Sequence, residues 1–142
     1  KDKNPLAVYK NGKEVVSVGM TLEEAEKKLG KLIESKQNNM EHKTCVYEGI
    51  EVIYNNDIIS NIILNDSTYS DCRGVKVGTP TGDLSKYYTE DEILMTNDVN
   101  RSPCYVDISK ERKIIEWKNN QAVNHIEIAL SEDDKVKLIK IY

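Results

Sequence analysis

Apolar positions along the chain follow two rhythms. Leu22, Ala25 and Leu29 fall at i, i+3 and i+7, which lines one face of a short helix. Thr21 precedes this stretch and Glu24 stands three residues later, the spacing of a capping box. Glu23 and Glu24 at the start and Lys27 and Lys28 near the end complement the helix dipole. Gly30 supplies a left-handed stop. A polar stretch, 34–43, reads as a loop. From Cys45 to Leu64 the pattern changes to β-branched runs broken at Glu48-Gly49 and at Asn55-Asn56-Asp57, predicting a three-stranded meander.

A second pass resembles the first. Val77-Gly78 stands 59 residues after Val18-Gly19, and Cys104 stands 59 after Cys45. Thr79 and Pro80 offer a cap and a first helical residue, with Leu84 and Tyr88 on the inner face. A polar loop, 89–103, leads to a second predicted meander at 105–108, 113–118 and 121–130. Its Asn119-Asn120 turn echoes Asn55-Asn56. Outside the two passes, Asn11-Gly12 marks a hairpin over 7–18, and 136–142 reads as a closing strand. Both flanking pieces are expected to extend the sheet.

The expected architecture is therefore α+β: a tandem repeat of helix plus antiparallel three-stranded meander, with the helices on one face of an extended antiparallel sheet. Residues 1–17 form a tether and hairpin, 18–72 the first unit, and 73–142 the second unit with the closing strand, all within one globular domain. Period-two alternation assigns Val52, Tyr54, Ser60, Ile62, Leu64, Ile115, Trp117, Ile126, Ile128 and Leu130 to the helix side. The open side receives Glu51, Ile53, Ile59, Asn61, Ile63, Ile114, Glu116, His125 and Glu127. Isoleucines among carboxylates on a solvent-facing sheet mark a partner surface, unless a loop such as 89–103 folds over it.

Composition narrows the class. The 142 residues carry 39% apolar and 31% charged side chains, enough to fold. The net charge is −4, with both signs mixed and no basic stripe, which excludes a nucleic-acid partner. No apolar run is long enough to span a bilayer. Abundant Lys, Asn and Ile with no Phe reads as AT-rich bacterial coding. The chain opens Lys1-Asp2-Lys3-Asn4-Pro5 without Met, as a processed piece would. That lead-in fits a tether behind an export signal or a lipid-modified Cys, and equally the edge of an excised segment.

Val-Gly, a Thr cap, a short acidic amphipathic helix and an antiparallel meander together resemble the β-lactamase-inhibitor-protein-like fold. That fold is similar, in one unit, to the small outer-membrane assembly lipoproteins. The pattern also resembles exported lipoproteins of low-GC Gram-positive bacteria, in which a stretch like Arg73–Gly78 opens a unit. The resemblance runs from Val18 to Leu130. It implies an exported, surface-tethered life and no particular chemistry. The second helix departs from it, ending Tyr87-Tyr88-Thr89 without Gly, and Gly82 weakens that helix by roughly 1 kcal/mol.

Candidate chemistry is sparse. His125 and Glu127 share a strand face and could form an acid–base pair, though a lone strand histidine is more often a surface or packing residue. Arg73 beside Cys72 could lower the thiol pKa, but no His is near in sequence. Two histidines without ligand spacing and three cysteines without C-x-x-C offer no metal site. Repeat symmetry makes Cys45–Cys104 an attractive disulfide and leaves Cys72 open. Gly74, Gly78 and Gly82 lack the Lys-Ser or Lys-Thr of a phosphate loop.

The expectation is a non-catalytic, extracytoplasmic, lipid-anchored binding module without cofactor. It would meet a protein or small ligand through Glu51, Ile53, Asn61, Ile63, Ile114, Glu116, His125 and Glu127. An envelope structural or assembly factor is the alternative, and after it an enzyme using Cys72 or His125.

Overall fold

Asn11 and Gly12 both take positive φ, 52° and 78°, the primed turn that suits the twist of a hairpin. They join β1 (Ala7–Lys10) to β2 (Lys13–Ser17). The computed structural model describes residues 3–89 and 125–142, and between them the strands at 93–95, 104–106, 117–118 and 121–122. The expected hairpin is present, but it forms its own two-stranded sheet instead of extending the main one.

After the hairpin comes α1 (Leu22–Lys28), then β3 (Glu34–Gln37), β4 (His42–Tyr47), β5 (Ile50–Asn55) and β6 (Ile58–Leu64). Farther on lie β7 (Ile93–Met95), β8 (Cys104–Val106), β9 (Trp117–Lys118), β10 (Gln121–Ala122), β11 (Ile126–Leu130) and β12 (Val136–Ile141). The main sheet has eight antiparallel strands in the order β3-β4-β5-β6-β12-β11-β8-β7. Among the described residues β9 and β10 pair with each other in a separate two-stranded sheet.

This arrangement overturns the expected α+β tandem repeat. The molecule is mostly β. Its helical segments are the seven-residue α1 and a 3₁₀ segment at Thr81–Lys86. The reason is local. Pro80 is extended and makes no side-chain cap bond, and Gly82 follows within the first turn, so the second helix does not propagate. α1 itself packs against β2 instead of starting a helical layer over the sheet. Among the described residues the second meander does not form as expected: β9–β10 makes a separate sheet, and β12 separates β6 from β11.

The echo between the two passes is real only at the helix entries. Gly19 N donates to Ile59 O at 2.9 Å and Leu22 N to Asp57 O at 2.8 Å, docking α1 on the β5–β6 turn. Gly78 N donates to Val136 O at 2.7 Å and Thr81 N to Asp134 O at 2.8 Å, docking the 3₁₀ segment on the β11–β12 turn. The receiving turn is at Asp134 (φ 57°), not at Asn119-Asn120.

Smaller expectations divide. Thr21 caps α1, accepting from Glu24 N at 3.2 Å, while its hydroxyl donates to Glu24 Oε1 at 2.9 Å. Gly30 is not left-handed; Leu29 ends the helix in an extended conformation. The polar stretch 34–43 contains the exposed edge strand β3 instead of being a loop throughout. The closing strand exists as β12, in the middle of the sheet. Cys45 and Cys104 lie on β4 and β8, five strand spacings or about 24 Å apart, which excludes a disulfide between them within the chain.

One sheet face is the core. Val52, Tyr54, Ile62, Leu64, Ile126, Ile128, Ile139 and Ile141 are all buried there. Val8, Val16, Ala25, Leu84 and Tyr88 complete the same cluster from the hairpin, α1 and the segment after β6. The expected faces hold for β5 and β11 but not at the start of β6. Ile53 opposes Asn61 while Tyr54 opposes Ile59, so Ser60 is an extra residue in the ladder. That bulge reverses the alternation: Ile59 turns into the core, and Ser60 donates to Ile53 O at 3.1 Å.

Gly49 (φ +78°) lets the β4–β5 turn press against the loop after β6. An added Cβ would lie 2.5 Å from Asp66 Oδ1 and 2.7 Å from Thr68 Cβ. Gly49→Ala is expected to cost about 2–4 kcal/mol in urea unfolding. Gly30→Ala, where nothing lies within 4 Å, is expected to be neutral or slightly stabilising. Equal effects at the two positions would contradict the close approach.

Candidate functional site

The register of the main sheet places the open-face candidates in rows. Glu34 opposes Val46, Val46 opposes Glu51, and Glu51 opposes Ile63. Ile63 opposes Lys140, and Lys140 opposes Glu127. One row of side chains thus crosses six strands, about 24 Å. A second row brings Thr44, Ile53 and Asn61 together. Five of the sequence-derived candidates, Glu51, Ile53, Asn61, Ile63 and Glu127, therefore share the face away from the core and are half-buried. Asn65 Nδ2 donates to Glu51 Oε2 at 3.4 Å. Ile114 and Glu116 lie outside the described residues, and Trp117 is described only as part of β9.

The isoleucines are not bare. Among the described residues the exposed large hydrophobics are Leu32, Ile33, Met40 and Ile58, all in connections or at a strand end. The open face is a mixed surface of charge and half-covered apolar groups.

His125 differs from its neighbours. It is 5% exposed, and its ring stacks on Tyr142 with centroids 4.6 Å apart. Its Nε2 lies 4.0 Å from Glu127 Oε2, so the two do meet, at a distance too long for a hydrogen bond. His42, expected in a loop, is half-buried on β4, with Nδ1 3.0 Å from Asn39 Oδ1.

Cys72 belongs to a buried polar cluster that sequence reading missed. Asp71 is 1% exposed, and its Oδ1 accepts from Arg73 N and Val75 N, each at 2.9 Å. Its Oδ2 accepts a short hydrogen bond from the buried Tyr88 hydroxyl. Arg73 Nη1 donates to Tyr87 O at 2.8 Å, and its guanidinium lies 5.1 Å from the centre of the Tyr88 ring. Burial raises the Asp71 carboxyl and holds the Tyr88 phenol well above its ordinary value. Burial, with Asp71 beside it, also pushes the Cys72 thiol up to about 11. The neighbouring Arg73 does not offset this, so Cys72 has the environment of a packed thiol. Asp71 and Tyr88 are far apart in sequence, and no periodicity links them.

A cleft of about 430 Å³ opens beside the hairpin. Lys10 from β1, Lys28 at the end of α1, Lys31 beyond it, Glu48 from the β4–β5 turn, and Tyr47 and Tyr69 are among the residues that line it. Lys10 Nζ lies 5.6 Å from the centre of the Tyr69 ring. Sequence reading missed this site too, because Lys10 on β1 is separated in sequence from Lys28 at the end of α1 and Lys31 beyond it.

Among the described residues, no three His, Cys, Asp or Glu side chains group as metal ligands, and no helix is long and apolar enough to cross a membrane. The chain is similar in structure to a cysteine-rich secretory protein from Staphylococcus aureus, with a TM-score of 0.53 at 12% identity. The match covers 98% of this chain and 48% of that one, so the chain spans about half its length. The likeness is one of fold. No protein-family model matches the chain, and no curated protein matches it either.

Two expectations follow from the buried groups. Tyr54 and Tyr88 are held protonated by burial, while in the unfolded chain a phenol ionises near its ordinary value of 10.0. The folded state therefore keeps protons that the unfolded state loses, and stability falls as pH rises above 10. The expected slope is about 1.4 kcal/mol per pH unit for each such phenol. Urea midpoints at pH 7, 9, 10 and 11 check this, and a flat profile would refute it. Because the Tyr54 hydroxyl finds no partner among the described residues, Tyr54→Phe is expected to gain about 1 kcal/mol at pH 7 and to soften the alkaline slope. Separately, iodoacetamide at pH 8 is expected to alkylate Cys72 in the folded chain at least tenfold more slowly than free cysteine. Labelling at the free-thiol rate would restore it as a reactive group.

Proposed function

We propose that the protein is an extracytoplasmic, non-catalytic binding module that engages a protein partner across the open face of its main sheet. The carrying observation is the row Glu34, Val46, Glu51, Ile63, Lys140 and Glu127, set straight across six strands by the pairing register. Such a row mixes charge for orientation with half-covered apolar groups for contact, the composition of an interface formed on demand. Two neighbouring features support the reading. The potential catalytic groups His125 and Cys72 are buried, which favours packing roles over chemistry. The structurally similar staphylococcal protein is described as secretory, which supports the extracytoplasmic placement. Attachment to the cell surface through a lipid belongs to the same proposal.

The test pairs Glu51→Lys with Glu127→Lys. Both side chains are half-buried on the sheet surface, so the double variant is expected to keep its circular dichroism and its melting temperature within a few degrees. The wild-type chain, immobilised and titrated with envelope extract, is expected to retain a defined protein saturably. The double variant is expected to lose at least tenfold in apparent affinity. Retention unchanged by the charge reversal would remove the open face as the site. Absence of any saturable partner would favour a structural or assembly role in the envelope.

A further inference from the structure

The lysine-lined cleft beside the hairpin lies apart from the open sheet face and is not used by that reading. Three ammonium groups, Lys10, Lys28 and Lys31, share it with a single carboxylate, Glu48, in a chain whose net charge is −4. The described ion pairs are Lys86 with Asp83 and His125 with Glu127, so none of the three cleft lysines is neutralised within the described residues. Three like charges with one carboxylate among them leave an excess of positive charge, and a bound anion offsets it.

Several folding choices converge on the arrangement. Lys28 closes α1, and Lys31 follows two residues after its extended cap, with Gly30 between them. Gly30 carries no side chain and faces open space, which leaves the mouth of the cleft clear. The close turn at Gly49 brings the loop of Asp66 and Thr68 against the β4–β5 turn, so Glu48 and Thr68 reach the same cleft. Asp66 Oδ1 accepts from Thr68 N at 2.8 Å and fixes that loop. Tyr47 and Tyr69, 5% and 7% exposed, form the floor of the cleft.

We propose that the cleft binds a small, hydroxyl-bearing anion: a single-ring sugar carrying a phosphate or a carboxylate. Lysine ammonium groups hold the charge as point cations. Glu48 and Thr68 offer polar partners to the hydroxyls of the ring, above a floor in which Tyr47 and Tyr69 are buried. A volume of about 430 Å³ accommodates one such ring with its charged group, at the lower end of ligand pockets in general.

Isothermal titration calorimetry of the whole chain at low salt tests this with four probes: glucose 6-phosphate, glucuronate, glucose and inorganic phosphate. At least one charged sugar is expected to bind at least tenfold more tightly than both glucose and inorganic phosphate. The tighter of the two charged sugars identifies the charged group. Binding is expected to weaken severalfold when salt is raised tenfold. Lys28→Glu combined with Lys31→Glu, and separately Gly30→Leu, are each expected to cut affinity at least tenfold with the melting temperature preserved. The Gly30 variant acts by filling space without changing charge. Glu51→Lys with Glu127→Lys is expected to leave sugar binding intact. A charged sugar that binds no better than inorganic phosphate, or equal affinity in wild type and both cleft variants, would overturn the proposal.

Discussion

Ile139 stands opposite Leu64 on one side and Ile128 on the other, and Ile141 likewise stands between Ile62 and Ile126. These six side chains are essentially without solvent exposure. The rest of the molecule depends on this three-strand register. Because successive residues alternate faces, the positions that bury the isoleucines also place Lys140 between Ile63 and Glu127 on the far side. A slip by one residue would expose the ladder and bury the lysine. Core formation and the layout of the open face are therefore one constraint seen from two sides.

The two faces are finished differently. On the core side the hairpin, with α1 packed against its β2, and an irregular segment complete the buried cluster, and the irregular segment is held by a carboxylate where regular backbone pairing stops. Asp71 gathers two backbone amides and the Tyr88 hydroxyl, which satisfies donors that a loop would otherwise bury unpaired. At the far edge, β3 keeps Glu34, Ser35, Lys36 and Gln37 all exposed, so both signs of charge guard the unpaired strand edge.

Local signals were legible in the sequence where local physics decides. The Asn11-Gly12 turn, the Thr21 cap, the strands between Cys45 and Leu64 and the final strand follow from residue type and alternation, and the structure has them. The candidate face was readable for Glu51, Ile53, Asn61, Ile63 and Glu127 by the same parity. Parity failed at Ile59, since a bulge at Ser60 leaves no mark in hydrophobic pattern alone. Repetition misled at the level of architecture. Val18-Gly19 and Val77-Gly78 share a docking role, and that short-range similarity does not dictate how strands are ordered. The position of β12, the separate β9–β10 pair, the Asp71–Tyr88 contact and the cleft lysines all join residues distant in sequence. No window of residues contains such information.

β12 is the last of the described strands in chain order, yet it lies at the centre of the sheet. The strands β3 to β6 can zip together from neighbouring residues, but β6 then waits with an unpaired edge. That strand, Ile58–Leu64, is apolar at every position except Ser60 and Asn61. It has the makeup of a segment that adds to other chains when left bare. Pairing it means closing a loop from residues 62–64 to 139–141, the slow kind of step in sheet assembly. The strand that shields the stickiest edge thus lies far downstream of it, and a chain emerging from a ribosome keeps β6 bare until β12 has followed it out.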